Sequence, residues 1–325
     1  MKLSPHALRD LLDLIELDEN VAIGPRVGED FAALKLGNHY LVIHSDPITG
    51  ASKLIGWYSV VVPSNDVATS GAKPKWILST ILAYSEDEAK STLRDIIKYS
   101  KELGLSLIGG HTEITPGITR TVVSSTAMGL AERIITTSGA REGDLVYISK
   151  GAGIEGTAII AHDFEELCAE KGIPEDIIKR AKKFIWEISI LKEAMIGAKY
   201  ATSMHDATEG GVLGALLEVS IASNHMIIVD HIPIREETRT ICNTLGLDPA
   251  KLISSGTLIM TIPQELEDDF LSDMEKSGVE VHRIGIVSRH GVGIVLKYEN
   301  NKIIKEYLGE ELDKLYSPSD IRNDK

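Results

Sequence analysis

Four acids stand where a hard cation could be held. Asp30 lies in Gly28-Glu-Asp-Phe-Ala32, Asp46 in His44-Ser-Asp-Pro47, Asp66 in Ser64-Asn-Asp-Val-Ala68 and Glu113 in Gly109-Gly-His-Thr-Glu113. Read as loops just after strands, such segments let carboxylates converge on an ion such as Mg²⁺, which takes oxygen ligands and meets nucleotide phosphates through one or two carboxylates. Each acid taken singly also suits a turn or a cap, because Asp and Asn favour those positions. It is their number within one stretch of chain that points to a site.

A second constellation is Met204-His-Asp-Ala-Thr-Glu-Gly-Gly211, which puts His205, Asp206, Thr208 and Glu209 directly before two glycines and an apolar run. One reading is an anion or substrate site at a helix N-terminus, with Asp206 or His205 available for proton transfer. The other is structural, with Thr208 as N-cap and Asp206 in a turn. Gly151-Ala-Gly-Ile-Glu-Gly156 is a GxGxxG after a strand, but no second strand with a terminal acid follows at dinucleotide-fold spacing. Its glycines either let amides approach an anion or only permit a tight turn. His39, His162, His225, His231, His282 and His290 are scattered without helical pairing, so no transition-metal site is expected. No GxSxG, Walker A or kinase-type loop is present.

The elements that position these residues mix helix and strand. Apolar spacing predicts a helix over residues 5–17, strands over 40–44 and 76–83, a helix over 87–103 stopped by Gly104, and strands over 105–108 and 121–130. Turn residues at 138–144 mark a boundary, giving domains 1–143 and 144–325. The second is expected to hold helices over 157–171, 175–200 and 210–223, strands from Leu145 and over 258–262, 281–287 and 293–298, a solvated helix face at 265–269, and a polar, frayed tail at 317–325.

Composition narrows the function classes. A chain of 325 residues, 43% hydrophobic and 25% charged, buries a sizeable core, and its apolar runs fall short of the roughly 18 residues of a membrane span. The formal net charge of −14, without a Lys/Arg cluster, argues against nucleic-acid binding. Cys168 and Cys242 have neither metal-site nor disulfide spacing, and the first residues lack a signal-peptide pattern, so a cytoplasmic protein without a membrane partner is expected.

The ordered series Gly28-Glu-Asp-Phe-Ala32, Ser45-Asp46, Asn65-Asp-Val-Ala-Thr-Ser-Gly-Ala-Lys-Pro74, Gly109-Gly-His-Thr112, Lys150-Gly-Ala-Gly-Ile-Glu-Gly156, His205-Asp-Ala-Thr-Glu-Gly-Gly211 and Ser255-Gly-Thr-Leu258 resembles the AIR synthase-related (PurM-like) superfamily. Within it the motifs look most like the hydrogenase-maturation, or HypE, branch. The resemblance implies an α/β (α+β) two-domain PurM-like fold. Its N-terminal domain would form a β-barrel shared across a homodimer and bind ATP with Mg²⁺, and the C-terminal domain would be α/β. By motif position Asp30, Asp46 and Asp66 would be metal and nucleotide-phosphate ligands, with Glu113 a further metal candidate because His111 replaces the usual acid of Gly-Gly-Asp-Thr. Asn65, Lys73, Gly109, Gly110, His111, Gly151 and Gly153 would contact the nucleotide.

Two departures from the HypE pattern are the absence of a cysteine at the chain's end and Ser255 where a Glu is usual. The expected function is phosphoryl transfer from ATP to an amide or carboxylate-type oxygen of a small-molecule or protein-borne acceptor, with His205 and Asp206 beside the acceptor. The alternatives are a non-catalytic nucleotide-binding assembly subunit and a kinase of the thiamine-monophosphate kinase type.

Overall fold

The computed structural model describes residues 11–12, 14–26, 28–49 and 54–316. Most of the helix expected over 5–17, and the tail at 317–325, lie outside the described residues. The chain divides into two compact units, Met1–Ile135 and Thr136–Lys325.

In the first unit, strands β1 (Val21–Ile23), β2 (Ala32–Leu36), β3 (His39–Ile48), β4 (Lys73–Ala83), β5 (Ser106–Ile114) and β6 (Val122–Ala131) form one sheet in the order β1-β2-β3-β6-β4-β5. All neighbours are antiparallel except β4 and β5. Burial alternates strictly along β6, and its inward residues Val123, Ser125, Ala127, Gly129 and Ala131 are small. They are small because helix α1 (Ile55–Thr69) lies close: a Cβ on Gly129 would sit 2.7 Å from the Lys73 carbonyl oxygen and 3.0 Å from Val67 Cγ1.

Helix α1 is buried along its length except at Val62 and so carries no amphipathic signal. Ser64 Oγ donates to the Val60 carbonyl at 2.6 Å, which satisfies a hydroxyl that burial would otherwise penalise. Helix α2 (Glu86–Glu102) is the opposite case, with Ser85 as N-cap, acids in its first turn and the apolar stripe Ala89, Ile96, Tyr99 facing inward. It packs on α1 through an edge-to-face Trp57–Tyr99 pair at 5.3 Å.

The second unit holds β7 (Leu145–Ser149), β8 (Ser203–Ala207), β9 (His225–Val229), β10 (Thr257–Ile262), β11 (Val281–His290), β12 (Ile294–Leu296) and β13 (Lys302–Ile304), in the order β13-β12-β9-β11-β7-β10-β8. Among its helices are α3 (Ile154–Asp163), α4 (Glu165–Glu170), α5 (Glu175–Ala181), α6 (Leu191–Gly197), α7 (Gly211–Ser223), α8 (Glu236–Leu245) and α9 (Glu267–Lys276). Val146, Ile148, Leu216, Ile227 and Ile259 lie in the core between the sheet and α7.

The single helix expected over 175–200 is instead α5, a 3₁₀ stretch at Lys182–Glu187 and α6. The interruption just ahead of α6 has its physical reason in Lys150. Its ammonium takes the carbonyls of Glu187 and Ser189 at 2.8 Å each and of Gly256 at 2.9 Å, and pairs with the buried Glu193 carboxylate at 2.5 Å. Carbonyls turned toward that ammonium cannot continue a helical ladder.

Candidate functional site

Of the four sequence-chosen acids, Asp66 is brought close to Asp46 and to Asp30, but not in the loops expected for them. Asp46 lies inside β3 and Asp66 inside the last turns of α1; only Asp30 is in a loop, just ahead of β2. The two-residue period of a strand puts Val42, His44 and Asp46 on one face of β3, the face α1 covers. His44 Nε2 lies 3.3 Å from Asp46 Oδ1 and 3.2 Å from Asp66 Oδ2. One donor atom each from His44, Asp46 and Asp66 fall within 4.8 Å of one another, and a carboxylate oxygen of Asp30 reaches Asp66 within the same limit.

Asp66 is only 7% exposed, and neighbouring Asn65 is fully buried. Carboxylates gathered this closely with little water repel one another, and a divalent cation is the ordinary compensation. Their oxygen donors fit Mg²⁺.

A row of polar positions leads away from Asp46 across the sheet. Asp46 pairs with Ser125 on β6, Ser125 with Ser79 on β4, and Ser79 with Gly110 on β5. Ser79 and Ser125 share a hydrogen bond at 2.8 Å. Gly110 is required here: at φ 145° its Cβ would stand 1.9 Å from the Ser79 carbonyl oxygen.

Glu113 is not brought to the other acids. The strand expected over 105–108 continues to Ile114, so alternation places His111 and Glu113 with Thr80 and Leu82, on the face opposite Ser79. There His111 Nε2 lies 3.2 Å from Glu113 Oε2, and Thr115 donates to Glu113 Oε1 at 2.9 Å. The Thr115 bond, with His111 second, lowers the Glu113 pKa. Gly109 precedes this pair on β5, opposite Leu78. Lys73 begins β4, exposed, six residues and about 20 Å of extended strand from Ser79, so it too stands away from the acids.

In the second unit His205 and Asp206 are successive residues of β8 rather than of a pre-helix loop, so their side chains face opposite sides of the sheet. His205, 3% exposed, is held by Glu218 of α7 through Nε2 at 2.9 Å and by Thr137 through Nδ1 at 3.3 Å. That pairing anchors α7 to the sheet and separates the imidazole from Asp206. The N-terminus of α7, expected to receive an acceptor, is met by a carboxylate of the chain itself: Gly210 N–H donates to Glu310 Oε2 at 2.7 Å. Glu310 also accepts from Ile253 and Leu312, and burial raises its pKa.

The GxGxxG amides are likewise engaged inside the unit. Ala152 donates to the Pro233 carbonyl, Gly153 to Ser254 Oγ at 2.8 Å and Gly156 to the Ile253 carbonyl. The glycines serve close packing: a Cβ on Gly156 would lie 2.3 Å from Leu252 Cγ, and Gly151 and Gly153 both take positive φ. The tight-turn reading of the motif accounts for them.

Two residues escaped the sequence reading. His44 was legible only through its i, i+2 spacing from Asp46, once the strand is known to run past both. Glu155, inside the glycine motif, is buried with Oε2 lacking a hydrogen-bond partner; burial, against hydrogen bonds from Ser255, raises its pKa to about 7.

Residues 28–131 match the family model for the AIR synthase related protein N-terminal domain, and residues 141–297 the model for its C-terminal domain. The chain is 29% identical over 237 residues to a thiamine-monophosphate kinase of Archaeoglobus fulgidus, covering 69% of this chain and 75% of that one. It is 25% identical over 283 residues to carbamoyl dehydratase HypE of Cupriavidus necator, covering 80% and 76%. Among solved structures, a ThiL protein complexed with AMPPCP and TMP superposes with a TM-score of 0.74 at 20% identity, over 94% of this chain and 97% of that one. The two-domain PurM-like fold is thereby shared.

Proposed function

The chain belongs to the AIR synthase-related family, and on that footing we propose that it is an ATP-dependent, Mg²⁺-requiring phosphoryl-transfer enzyme acting on an amide or carboxylate-type oxygen. The observation that carries this reading is that Asp66, almost buried, has donor atoms of Asp46 and His44 within 4.8 Å and a carboxylate oxygen of Asp30 within the same distance. Supporting it, a relative of the same fold was solved with AMPPCP, an ATP analogue. Asp46 and Asp66 hold the metal and Asp30 flanks Asp66, with Asn65 and the Ser125–Ser79–Gly110 row beside the nucleotide. Mg²⁺, when bound, neutralises phosphate oxygens during transfer. Positioning supplies the rest, so no general base need lie among the acids.

The outer face of the first sheet carries exposed Leu36 and Leu78, and we read it as the surface that closes a barrel with a second copy. A kinase acting on thiamine monophosphate is the second reading, favoured by the ThiL likeness and the Archaeoglobus relative. Both readings are tested by following ADP release from ATP and Mg²⁺ with a panel of acceptors, thiamine monophosphate among them. Acceptor-dependent ADP release supports phosphoryl transfer and identifies the branch. Nucleotide binding without turnover on any acceptor makes the protein a nucleotide-binding assembly subunit instead.

A further inference from the structure

The three donors at the candidate metal position are not all oxygens. Nε2 of His44 lies 3.3 Å from a carboxylate oxygen of Asp46 and 3.2 Å from one of Asp66. An imidazole Nε2 carries a single hydrogen, so it can serve one carboxylate well but not two at once. Two acids converging on one nitrogen is instead the geometry of a coordination shell. Adjacent ligands on an octahedral ion with bonds of about 2.1 Å stand about 3.0 Å apart, and on a tetrahedral ion about 3.4 Å. The two observed separations fall between these values. Backbone placement supports the same arrangement, since His44 and Asp46 share one face of β3 and Asp66 descends from the helix packed on it.

We propose that His44 Nε2 is a direct ligand of the divalent ion held by Asp46 and Asp66, and that the site prefers Mn²⁺ to Mg²⁺. This rests on the nucleotide-and-metal reading of the first unit. Mg²⁺ favours an all-oxygen shell, whereas imidazole suits transition ions and carboxylates suit Mn²⁺ as readily as Mg²⁺. A mixed set of one nitrogen and two carboxylates therefore selects the ion that accepts both.

The test uses the full chain with Mn²⁺ alone. Pulsed electron paramagnetic resonance is expected to show nitrogen modulation from a directly bound imidazole in the wild type and none in His44→Gln. Calorimetry is expected to give Mn²⁺ binding at least about tenfold tighter than Mg²⁺ in the wild type, with the ratio collapsing in His44→Gln and in His44→Ala, each checked for native circular dichroism. Bound Mn²⁺ without nitrogen modulation, or an unchanged Mn²⁺/Mg²⁺ ratio in both variants, overturns the proposal. Where that result is found, tight ATP·Mg²⁺ binding by the wild type leaves the nucleotide reading standing and rejects His44 alone. Loss of binding of every ion and nucleotide in the wild type rejects both.

Discussion

Replacing Glu155 with Gln isolates the energetic consequence of burying an acid beside the glycine motif. In the folded protein its pKa is raised from 4.5 to about 7, by burial first and by the nearby charges of Glu310 and Glu209, while Ser255 opposes the shift. Between those two pH values the folded state keeps a proton that the unfolded chain has released, so stability falls as pH rises through this window. From 4.5 to about 7, at about 1.4 kcal/mol per pH unit, the loss comes to about 3 kcal/mol by pH 8. Gln cannot ionise and can still accept from Ser255, although its amide leaves new donors where Oε2 has no partner. At pH 5 the variant is therefore expected to match the wild type or fall slightly below it. At pH 8 it gains most of that 3 kcal/mol relative to the wild type. Urea unfolding at pH 5 and 8, followed by fluorescence and far-ultraviolet circular dichroism, reads the difference. A variant-minus-wild-type difference that does not change between these pH values refutes the argument.

Three further outcomes follow from the packing. Gly56→Ala is expected to destabilise by about 1–3 kcal/mol, despite the usual gain from Ala in a helix, because the new Cβ would lie 2.5 Å from Asp95 Cβ and 3.1 Å from the Ile96 nitrogen; the urea midpoint measures it. Glu310→Ala leaves the amides of Gly210, Ile253 and Leu312 without their acceptor and is expected to cost about 2 kcal/mol, read as faster hydrogen exchange at those three amides. Cys168 and Cys242 are both buried, with burial raising the first thiol and pushing the second to about 12, so neither is expected to react with a disulfide reagent at pH 8 until the protein is unfolded.

Where local signals were strong, the chain could be read directly. Helix α2 announced itself through its Ser85 cap, acidic first turn, apolar stripe and terminal Gly104, and α7 through the glycines before an apolar run. Helix α1 did not, because a helix buried on every side has no polar face to give its period away. Burial also hid the reason Asp66 is where it is: a carboxylate in an apolar helix looks like a turn residue until Asp46 and Asp30 are seen beside it. The extension of β5 past the two glycines was equally hidden, since Gly109 and Gly110 read as a strand end. In the fold they allow close pairing with β4, which sends Glu113 to the wrong face for the cluster. Likewise, the break just ahead of α6 is tied to Lys150, far away in sequence, and no local pattern encodes it.

The central claim is that Asp46 and Asp66 hold a metal–nucleotide complex in the first unit. Isothermal titration of ATP with Mg²⁺ into the wild type and into Asp66→Asn tests it most directly. Wild-type binding is expected in the low-micromolar to millimolar range common for metabolic enzymes, abolished when Mg²⁺ is chelated, and at least about tenfold weaker in Asp66→Asn. Because removing one of several crowded carboxylates relieves repulsion, the variant should melt no lower than the wild type without metal. Equal, metal-independent affinity in a folded Asp66→Asn would contradict the account.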